Sequence, residues 1–386
     1  MRKEITKNKM NSIIKDLNKY KKKDYTFLSG RILGSMCTQP HPIAKKALMS
    51  FFSTNLGDPK LFAGTKEIEE KYIKFLQKML SAPTKSTAIV GSGGTESNIT
   101  AIWIAKNLSG KKEVLVPKNA HFSFKKIASL MNIKIIPVSL NDKYTINTRD
   151  LKKKIKNNVA AVVGIAGSTE LGTIDDINEI GQMCQNENIF LHIDAAFGGY
   201  VIPFLKKLNY DISDFDFKIK GVSSISIDAH KMGCSVIPTG SLLIRDKEWL
   251  KCVNVETPYI SSKKQAGILG TRSGGPIVAA YAVSKYLGAE GYKNIVKKCM
   301  NNTKYLEKRI QDIGLNLVVE PTMNVIGIKL KNPDIVTKKL SKEKWIVNKM
   351  DKLSAIRIVL MPHVKRKTIN EFLPVFEKIC KECKEI

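Results

Sequence analysis

Three side chains able to do chemistry stand at or just after the ends of apolar runs in this 386-residue chain. Lys231 follows SSISIDAH (223–230), Asp194 ends IFLHID (189–194), and His121 comes soon after EVLVP (113–117). A charged group at the end of a buried strand is costly unless it has a partner or a chemical role. We expect burial to lower the pKa of Lys231, which would favour a neutral, nucleophilic amine.

A glycine-rich turn, GSGGTESN (91–98), follows another apolar run. Gly93 and Gly94 would let the backbone approach a ligand closely, and a helix starting near Thr95 would direct its N–H groups at an anion. The turn contains neither GK[ST] nor G-x-G-x-x-G, so it is not a P-loop or a dinucleotide fingerprint. Taken alone, such a turn is more often just a tight turn.

Each of these features has a structural explanation when taken separately. Asp194 could form a structural salt bridge, His121 could be a packed histidine, and Ser168 and Thr169 could cap a turn. Together, an anion cradle, a stacking imidazole, a carboxylate and a lysine match the needs of pyridoxal phosphate. The small pair Ala195-Ala196 after Asp194 also indicates that a flat group lies near the backbone.

Short apolar runs alternate with amphipathic helical stretches, which predicts a βαβ arrangement. The expected strands are 87–93, 113–117, 133–138, 159–167, 189–194, 223–230 and 240–246. We expect an α/β fold with a seven-stranded, mostly parallel sheet and helices on both faces. Ligands bind at the carboxyl ends of strands in such sheets, where the candidate residues are predicted to lie.

The pattern predicts three regions: an N-terminal arm with helices over 1–50, a large cofactor-binding domain over 51–284 and a small α+β domain over 285–386. Expected strands of the small domain are 315–321, 324–330 and 355–362, before a last helix. No internal repeat or low-complexity linker is visible.

The composition, 43% hydrophobic and 26% charged, is that of an ordinary globular protein. The chain has no apolar run of membrane-spanning length and no signal-peptide pattern at its start, so we expect a cytoplasmic protein without a membrane partner. Seven scattered cysteines fit a reducing compartment. Cys380 and Cys383 have C-x-x-C spacing without a second pair, and we expect no metal site.

The formal net charge of +29 raises the possibility of nucleic-acid binding. The lysines are spread along the whole length and are not interleaved with aromatic residues, so base stacking has no support. We therefore expect no specific nucleic-acid partner.

The motifs that carry these residues resemble the pyridoxal-phosphate-dependent group II decarboxylases and, within them, the archaeal tyrosine/aspartate decarboxylases of methanogens. The resemblance covers nearly the whole chain. The matching motifs are GSMC (34–37), TNLGDPKLFAGT (54–65), SGGTESN (92–98), AHFSF (120–124), GIAGSTELGTIDDI (164–177), HIDAAFGG (192–199), IDAHKMG (227–233), ILGTRSGG (268–275) and RIVLMPH (357–363).

The resemblance implies the type I pyridoxal-phosphate-dependent transferase fold and a homodimer with shared active sites. It makes Lys231 the Schiff-base lysine, Asp194 the partner of the pyridine nitrogen, and His121 the imidazole stacked on the ring opposite Ala196. The residues implied in further cofactor contacts are Gly93, Gly94, Thr95 and His230 at the phosphate, Thr169 near the ring oxygen, and Gly270, Thr271 and Arg272 in a loop from the partner subunit.

The family motifs indicate the roles of three further residues less specifically. Tyr259 could donate a proton to the substrate carbon, although the surrounding segment differs from that of the aromatic decarboxylases; the alternative is a donor linked to His121. Arg357 could hold a substrate carboxylate by a bidentate pair, with a surface salt bridge as the alternative. Asn55 lies in a motif expected near the substrate.

The implied reaction is decarboxylation of an L-amino acid. L-Tyrosine would give tyramine for methanofuran biosynthesis, and L-aspartate would give β-alanine for coenzyme A biosynthesis. The alternatives are glutamate decarboxylation, Cα–Cβ cleavage as in sphingoid-phosphate lyases and, more remotely, a basic nucleic-acid-binding protein.

Overall fold

The main sheet contains seven strands in the computed structural model, which describes residues 2–386 and the side chains from residue 7 onward. The strands are β1 (Thr87–Gly91), β2 (Glu113–Pro117), β3 (Lys134–Val138), β4 (Val159–Ile165), β5 (Phe190–Asp194), β6 (Val222–Asp228) and β7 (Gly240–Ile244). Their order is β1-β7-β6-β5-β4-β2-β3. Only β7 runs antiparallel to its neighbours. The predicted seven-stranded, mostly parallel sheet is confirmed.

The central strands are buried on both faces, as their uninterrupted apolar or small residues predict. Every residue of β4, β5, β6 and β7 is buried, whereas the edge strand β3 is partly exposed. Because side chains alternate along a strand, Ser224, Ser226 and Asp228 share one face of β6. Ile225 and Ile227 pack into the core on the opposite face.

Helices cover both faces of the sheet. The helices of the described chain are α1 (Arg2–Lys21), α2 (Pro42–Ser50), α3 (Ala63–Met79), α4 (Gly94–Ser109), α5 (Ser123–Met131), α6 (Thr148–Lys154), α7 (Ile177–Asn186), α8 (Ile202–Lys206), α9 (Gly274–Asp312), α10 (Pro333–Lys342) and α11 (Arg366–Glu382). Helices α10 and α11 pack against the smaller C-terminal sheet instead. Helix α4 crosses the central strands on the face of Ser224 and Ser226, and α7 packs on the other face. The expected helical cover on both faces is confirmed.

A second, smaller sheet lies in the C-terminal region. A short hairpin of β8 (Val255–Glu256) and β9 (Lys264–Gln265) precedes α9. The smaller sheet has the order β10-β12-β11, from β10 (Val325–Lys329), β11 (Asn348–Met350) and β12 (Ala355–Val359). The expected strand over 315–321 is wrong, because this segment makes only a single bridge, between Leu317 and Ile328.

The helix α9 connects the two sheet regions and is interrupted at Gly288, where φ is 53° and ψ is −164°. Such a left-handed φ suits glycine, which lacks a Cβ atom. The predicted boundary between residues 284 and 285 falls just before this break. The three-part division of the chain stays a prediction.

The N-terminal segment is joined to the smaller sheet. The backbone N–H groups of Leu33 and Gly34 donate to Ile346 O, and Val359 N donates to Leu33 O. Leu33 belongs to the same apolar core as Trp345, together with the buried Cys380 of the C-x-x-C pair. Within the described part of the chain, no helix has both the length and the apolar character to cross a membrane.

We predict that Phe376→Ala lowers the free energy of unfolding by about 3–5 kcal/mol, because it leaves a cavity in a closed core. Phe376 is fully buried and stacks on Phe372 at a centroid distance of 5.2 Å. Urea unfolding followed by circular dichroism measures the change. The control is Lys378→Ala on the same helix, whose exposed side chain predicts a change within about 0.5 kcal/mol. Equal effects of the two substitutions would contradict this packing.

Candidate active site

A cavity of about 330 Å³ lies at the carboxyl ends of β4, β5 and β6 and at the first turn of α4. This is where open α/β sheets bind ligands. The structure brings together nine of the residues singled out in the sequence, and all of them line this cavity: Gly93, Gly94, Thr95, His121, Thr169, Asp194, Ala196, His230 and Lys231. Their common position follows from the parallel strands, whose ends meet at one edge of the sheet.

The close packing of the glycine-rich turn disfavours side chains at Gly93 and Gly94. Gly93 has φ 150°, and a Cβ atom there would lie 3.0 Å from the His230 ring. A Cβ on Gly94 would lie 3.1 Å from Ala196 Cβ. The Glu96 carboxylate closes the turn by accepting the backbone N–H and the hydroxyl of Ser92, each at 2.7 Å. The N–H groups of the first turn of α4 have no partner within the helix and can bind an anion.

Asp194 is a buried carboxylate held by neutral donors. Its Oδ1 accepts from Ala196 N at 3.1 Å and from the Ser226 hydroxyl at 3.3 Å. Its Oδ2 accepts from Asn98 Nδ2 at 2.9 Å. Because these donors carry no charge, the carboxylate remains free to pair with a cationic group in the cavity.

Two buried residues outside the cavity lining, His192 and Ser224, extend this network from Asn98. His192 Nε2 lies 2.9 Å from Asn98 Oδ1, and its Nδ1 lies 2.8 Å from Ser224 Oγ. Asn98 Nδ2 also donates to Ser123 Oγ at 3.1 Å. Burial lowers the pKa of His192 to about 4, although the charge of Asp194 acts in the opposite direction. In the sequence, His192 and Asn98 stand within longer motifs, and neither of them was assigned a role.

Lys231 forms an ion pair that the sequence reasoning missed. Its Nζ lies 3.1 Å from Asp228 Oδ2 at the end of β6. Burial alone would lower the pKa of Lys231, but the charges of Asp228 and Asp194 outweigh it and raise this pKa. The expectation of a lowered lysine pKa is therefore wrong. The sequence shows Asp228 three positions before Lys231 in the same motif, but that spacing alone does not show that the two side chains meet.

The two histidines that line the cavity have different surroundings. His230 Nδ1 lies 2.8 Å from Thr239 O, and its Nε2 is 3.7 Å from Asp228 Oδ2. His121 is half-buried, and its Nδ1 accepts the N–H of Ser123 at 3.3 Å. Burial lowers the pKa of His121, so its ring is uncharged near neutral pH.

The cavity suits pyridoxal phosphate in its donor set and in its unmet hydrogen-bonding groups. Two buried oxygens on its wall, Asn119 Oδ1 and Asp228 Oδ1, have no protein partner. Such atoms are costly unless a ligand or water binds them. The anion site, the lysine and the carboxylate correspond to the phosphate, aldehyde and ring nitrogen of the cofactor. The described residues contain no group of three or more His, Cys, Asp or Glu side chains suited to a metal ion.

Other residues singled out in the sequence lie outside the cavity of their own chain. Gly270 and Thr271 are exposed in the loop before α9, and Tyr259 is 88% exposed at the tip of the β8–β9 hairpin. Asn55 Oδ1 accepts the N–H groups of Gly57 and Arg272. One chain therefore does not bring these four residues to its own Lys231.

Arg357 is buried within β12 and bonds to carbonyl groups. Its Nη1 donates to Thr169 O and its Nη2 to Gly34 O, while Nε has no partner. Burial lowers the pKa of this guanidinium to about 10, partly opposed by Glu170. The alternative of a surface salt bridge is wrong. Arg357 instead fixes Thr169, a residue of the cavity wall, from behind that wall.

We predict that the stabilisation contributed by His192 disappears as the pH falls. The unfolded imidazole has a pKa near 6.5 and the buried one about 4, so only the unfolded chain binds a proton between these values. The free energy of unfolding should fall by up to about 3 kcal/mol across this range, and His192→Gln should lack this contribution. Urea unfolding of both proteins at about pH 7 and about pH 4.5 tests this. Parallel pH profiles would contradict it.

Comparisons with known proteins agree with this site. Residues 60–331 match the family described as the pyridoxal-dependent decarboxylase conserved domain. The probable L-tyrosine/L-aspartate decarboxylase of Methanococcus aeolicus is 42% identical over 386 aligned residues, covering 96% of this chain and 99% of the relative. The L-aspartate/L-glutamate decarboxylase of Pyrococcus horikoshii is 44% identical, covering 95% and 96%.

Among solved structures, the sphingosine-1-phosphate lyase of Burkholderia pseudomallei superposes with a TM-score of 0.86 and 21% identity, covering 99% of this chain and 91% of the lyase. At that identity the likeness shows the shared fold alone. The family match and the archaeal relatives go further, and the chain belongs to the pyridoxal-dependent decarboxylases, with pyridoxal phosphate as cofactor.

Proposed function

We propose that this decarboxylase converts L-tyrosine to tyramine and carbon dioxide, and L-aspartate to β-alanine and carbon dioxide. The observation that carries the proposal is the meeting of Lys231, Asp194 and the glycine-rich turn in one cavity. The tyrosine/aspartate activity named for the Methanococcus aeolicus relative supports the choice of substrates. The products would serve methanofuran and coenzyme A biosynthesis.

Bound pyridoxal phosphate supplies an electron sink for the electron pair left at Cα when carbon dioxide departs. Lys231 would hold the cofactor through its amine, and Asp194 would keep the ring nitrogen protonated. His121 and Ala196 would flank the ring. The phosphate would bind at the first turn of α4, with Gly93, Gly94, Thr95 and His230, and Thr169 would lie near the ring oxygen.

The rim of the cavity favours an aromatic side chain. Met36, Phe122, Ile237 and Pro238 give it an apolar wall, and Phe122 and Ile237 are more than half exposed there. A phenol ring would bury apolar area against these residues. This supports tyrosine.

Arg357 supports aspartate as the second substrate. Of the three guanidinium nitrogens of Arg357, Nε alone lacks a hydrogen-bond partner. Nη1 donates to the carbonyl of Thr169, which lines the cavity. A bidentate hold on the departing α-carboxylate would stabilise the ground state and oppose its loss. We therefore assign Arg357 to the side-chain carboxylate of aspartate.

We predict turnover of both tyrosine and aspartate, with carbon dioxide released and no aldehyde formed. Loss of the bonds from Arg357 to Thr169 O and Gly34 O should lower turnover of both substrates alike. Because Arg357 would contact only the acidic substrate, Arg357→Gln should in addition lower kcat/KM for aspartate at least about tenfold more than for tyrosine. Parallel assays of tyrosine, aspartate and glutamate measure this.

Lys231→Ala is the negative control, with loss of turnover and of the visible absorbance of the bound cofactor. Near-wild-type activity of this variant would refute the role of Lys231. Aldehyde release would instead favour Cα–Cβ cleavage, and a preference for glutamate would refute the substrate assignment. Equal losses with both substrates in Arg357→Gln would refute a selective contact.

We also propose that the protein is a homodimer with shared active sites. We propose that it works in the cytoplasm, where its seven unpaired cysteines would stay reduced. Gly270, Thr271, Tyr259 and Asn55 are implied in the site but lie outside the cavity of their own chain. A second copy would bring them to Lys231, with Tyr259 as candidate proton donor to Cα. The exposed apolar Phe122 and Ile237 at the rim, and Met10, Ile13, Ile14 and Leu17 on one face of α1, support an interface between copies.

Mixed dimers should reveal a shared site. A Cβ at Gly270 meets no atom of its own chain closer than 3.8 Å, so Gly270→Asp is tolerated locally but would repel a phosphate bound to the other subunit. We predict that Gly270→Asp and Lys231→Ala are each inactive alone. Co-expressed, they should recover about a quarter of wild-type activity, because half of randomly paired dimers have one intact site. An inactive mixture would contradict sharing.

A further inference from the structure

We propose that Ser224, His192 and Asn98 form a hydrogen-bond relay that orients the Asp194 carboxylate toward the ring nitrogen of the cofactor. The inference rests on the proposed pairing of Asp194 with that nitrogen. None of the three relay residues would touch the substrate, so they are positioning residues.

The Asn98 amide can adopt only one orientation. Its Nδ2 faces Asp194 Oδ2 at 2.9 Å and Ser123 Oγ at 3.1 Å, so both N–H bonds have acceptors. A flipped amide would place its oxygen against the carboxylate, and two acceptors would repel each other. The orientation therefore leaves Asn98 Oδ1 facing His192.

This orientation fixes the proton on the imidazole. His192 Nε2 must carry the hydrogen that Asn98 Oδ1 accepts at 2.9 Å. Nδ1 is then an acceptor for the Ser224 hydroxyl at 2.8 Å. Each hydrogen bond runs in the same direction, from Ser224 through His192 and Asn98 to Asp194. A neutral histidine with one defined tautomer is required.

Because the relay residues are buried, water cannot replace a hydrogen bond that one of them loses. His192 and Ser224 have no exposed surface, and Asn98 is 1% exposed. Without a donor at His192 Nε2, the amide oxygen of Asn98 would be buried and unpaired, so the amide would lose the contact that fixes its position. Asp194 would then lose the donor at Oδ2 and its fixed position relative to the cofactor.

A defect in the relay should affect only the interaction of Asp194 with the ring nitrogen of the cofactor. A pyridoxal phosphate analogue with carbon in place of that nitrogen has no proton to share with Asp194. Its binding depends on the phosphate site, the lysine and the shape of the cavity. A defect of the relay should therefore weaken binding of pyridoxal phosphate and leave binding of the carbon analogue nearly unchanged.

The test compares His192→Phe, which removes both ring nitrogens, with His192→Gln, whose amide N–H can replace Nε2–H. Full-length protein is freed of cofactor, and the dissociation constants of pyridoxal phosphate and of the carbon analogue are measured by fluorescence. We expect wild type and His192→Gln to prefer pyridoxal phosphate at least about tenfold, and His192→Phe to lose most of this preference. If His192→Phe does not fold, Ser224→Ala should show a smaller loss in the same direction.

The possible failures are distinguishable. A wild-type protein that binds both compounds equally would refute the pairing of Asp194 with the ring nitrogen. A wild-type preference that survives in the relay variants would refute the relay alone. Equal weakening of both compounds in His192→Phe and His192→Gln would show that His192 only fills space, which also overturns the relay.

Discussion

A charged carboxylate buried at the end of a central strand is the constraint on which this site depends. An ionised Asp194 inside the sheet is costly unless hydrogen-bond donors replace the lost water. The donors come from three elements: Asn98 of α4, Ser226 of β6 and the backbone after β5. The serine face of β6 satisfies buried polar groups, while its isoleucine face packs in the main core.

The same face of β6 also carries Asp228, and this links the lysine to the rest of the network. The side chains of residues 224, 226 and 228 project on one side because strand side chains alternate. Asp228 therefore meets Lys231 and the glycine-rich turn at the strand end. Two carboxylates near one lysine explain why the pKa of Lys231 is raised despite its burial.

Much of the fold was predictable because the buried strands are marked by uninterrupted apolar or small residues. The segment 315–321 also looks apolar, but only Val318 N and Asn316 O bond to the neighbouring strand, so it does not form a strand of its own. The cavity-lining residues were predictable from their places at strand ends. The pairing of Lys231 with Asp228 was not predicted, because a separation of three positions in a turn does not show whether two side chains meet. The positions of Gly270 and Tyr259 outside the cavity depend on loop paths that local patterns do not determine.

Arg357 connects segments that are far apart in the chain, and this bears on how the protein is made. Its guanidinium bonds to Gly34 across 323 positions and to Thr169 across 188. Leu33 similarly pairs with Ile346 and Val359. During synthesis the main sheet can assemble from residues 87–244, whereas the segment around Leu33 emerges early and waits for strands made near the end. The N-terminal segment and the Thr169 side of the cavity are thus completed only when almost the whole chain has left the ribosome.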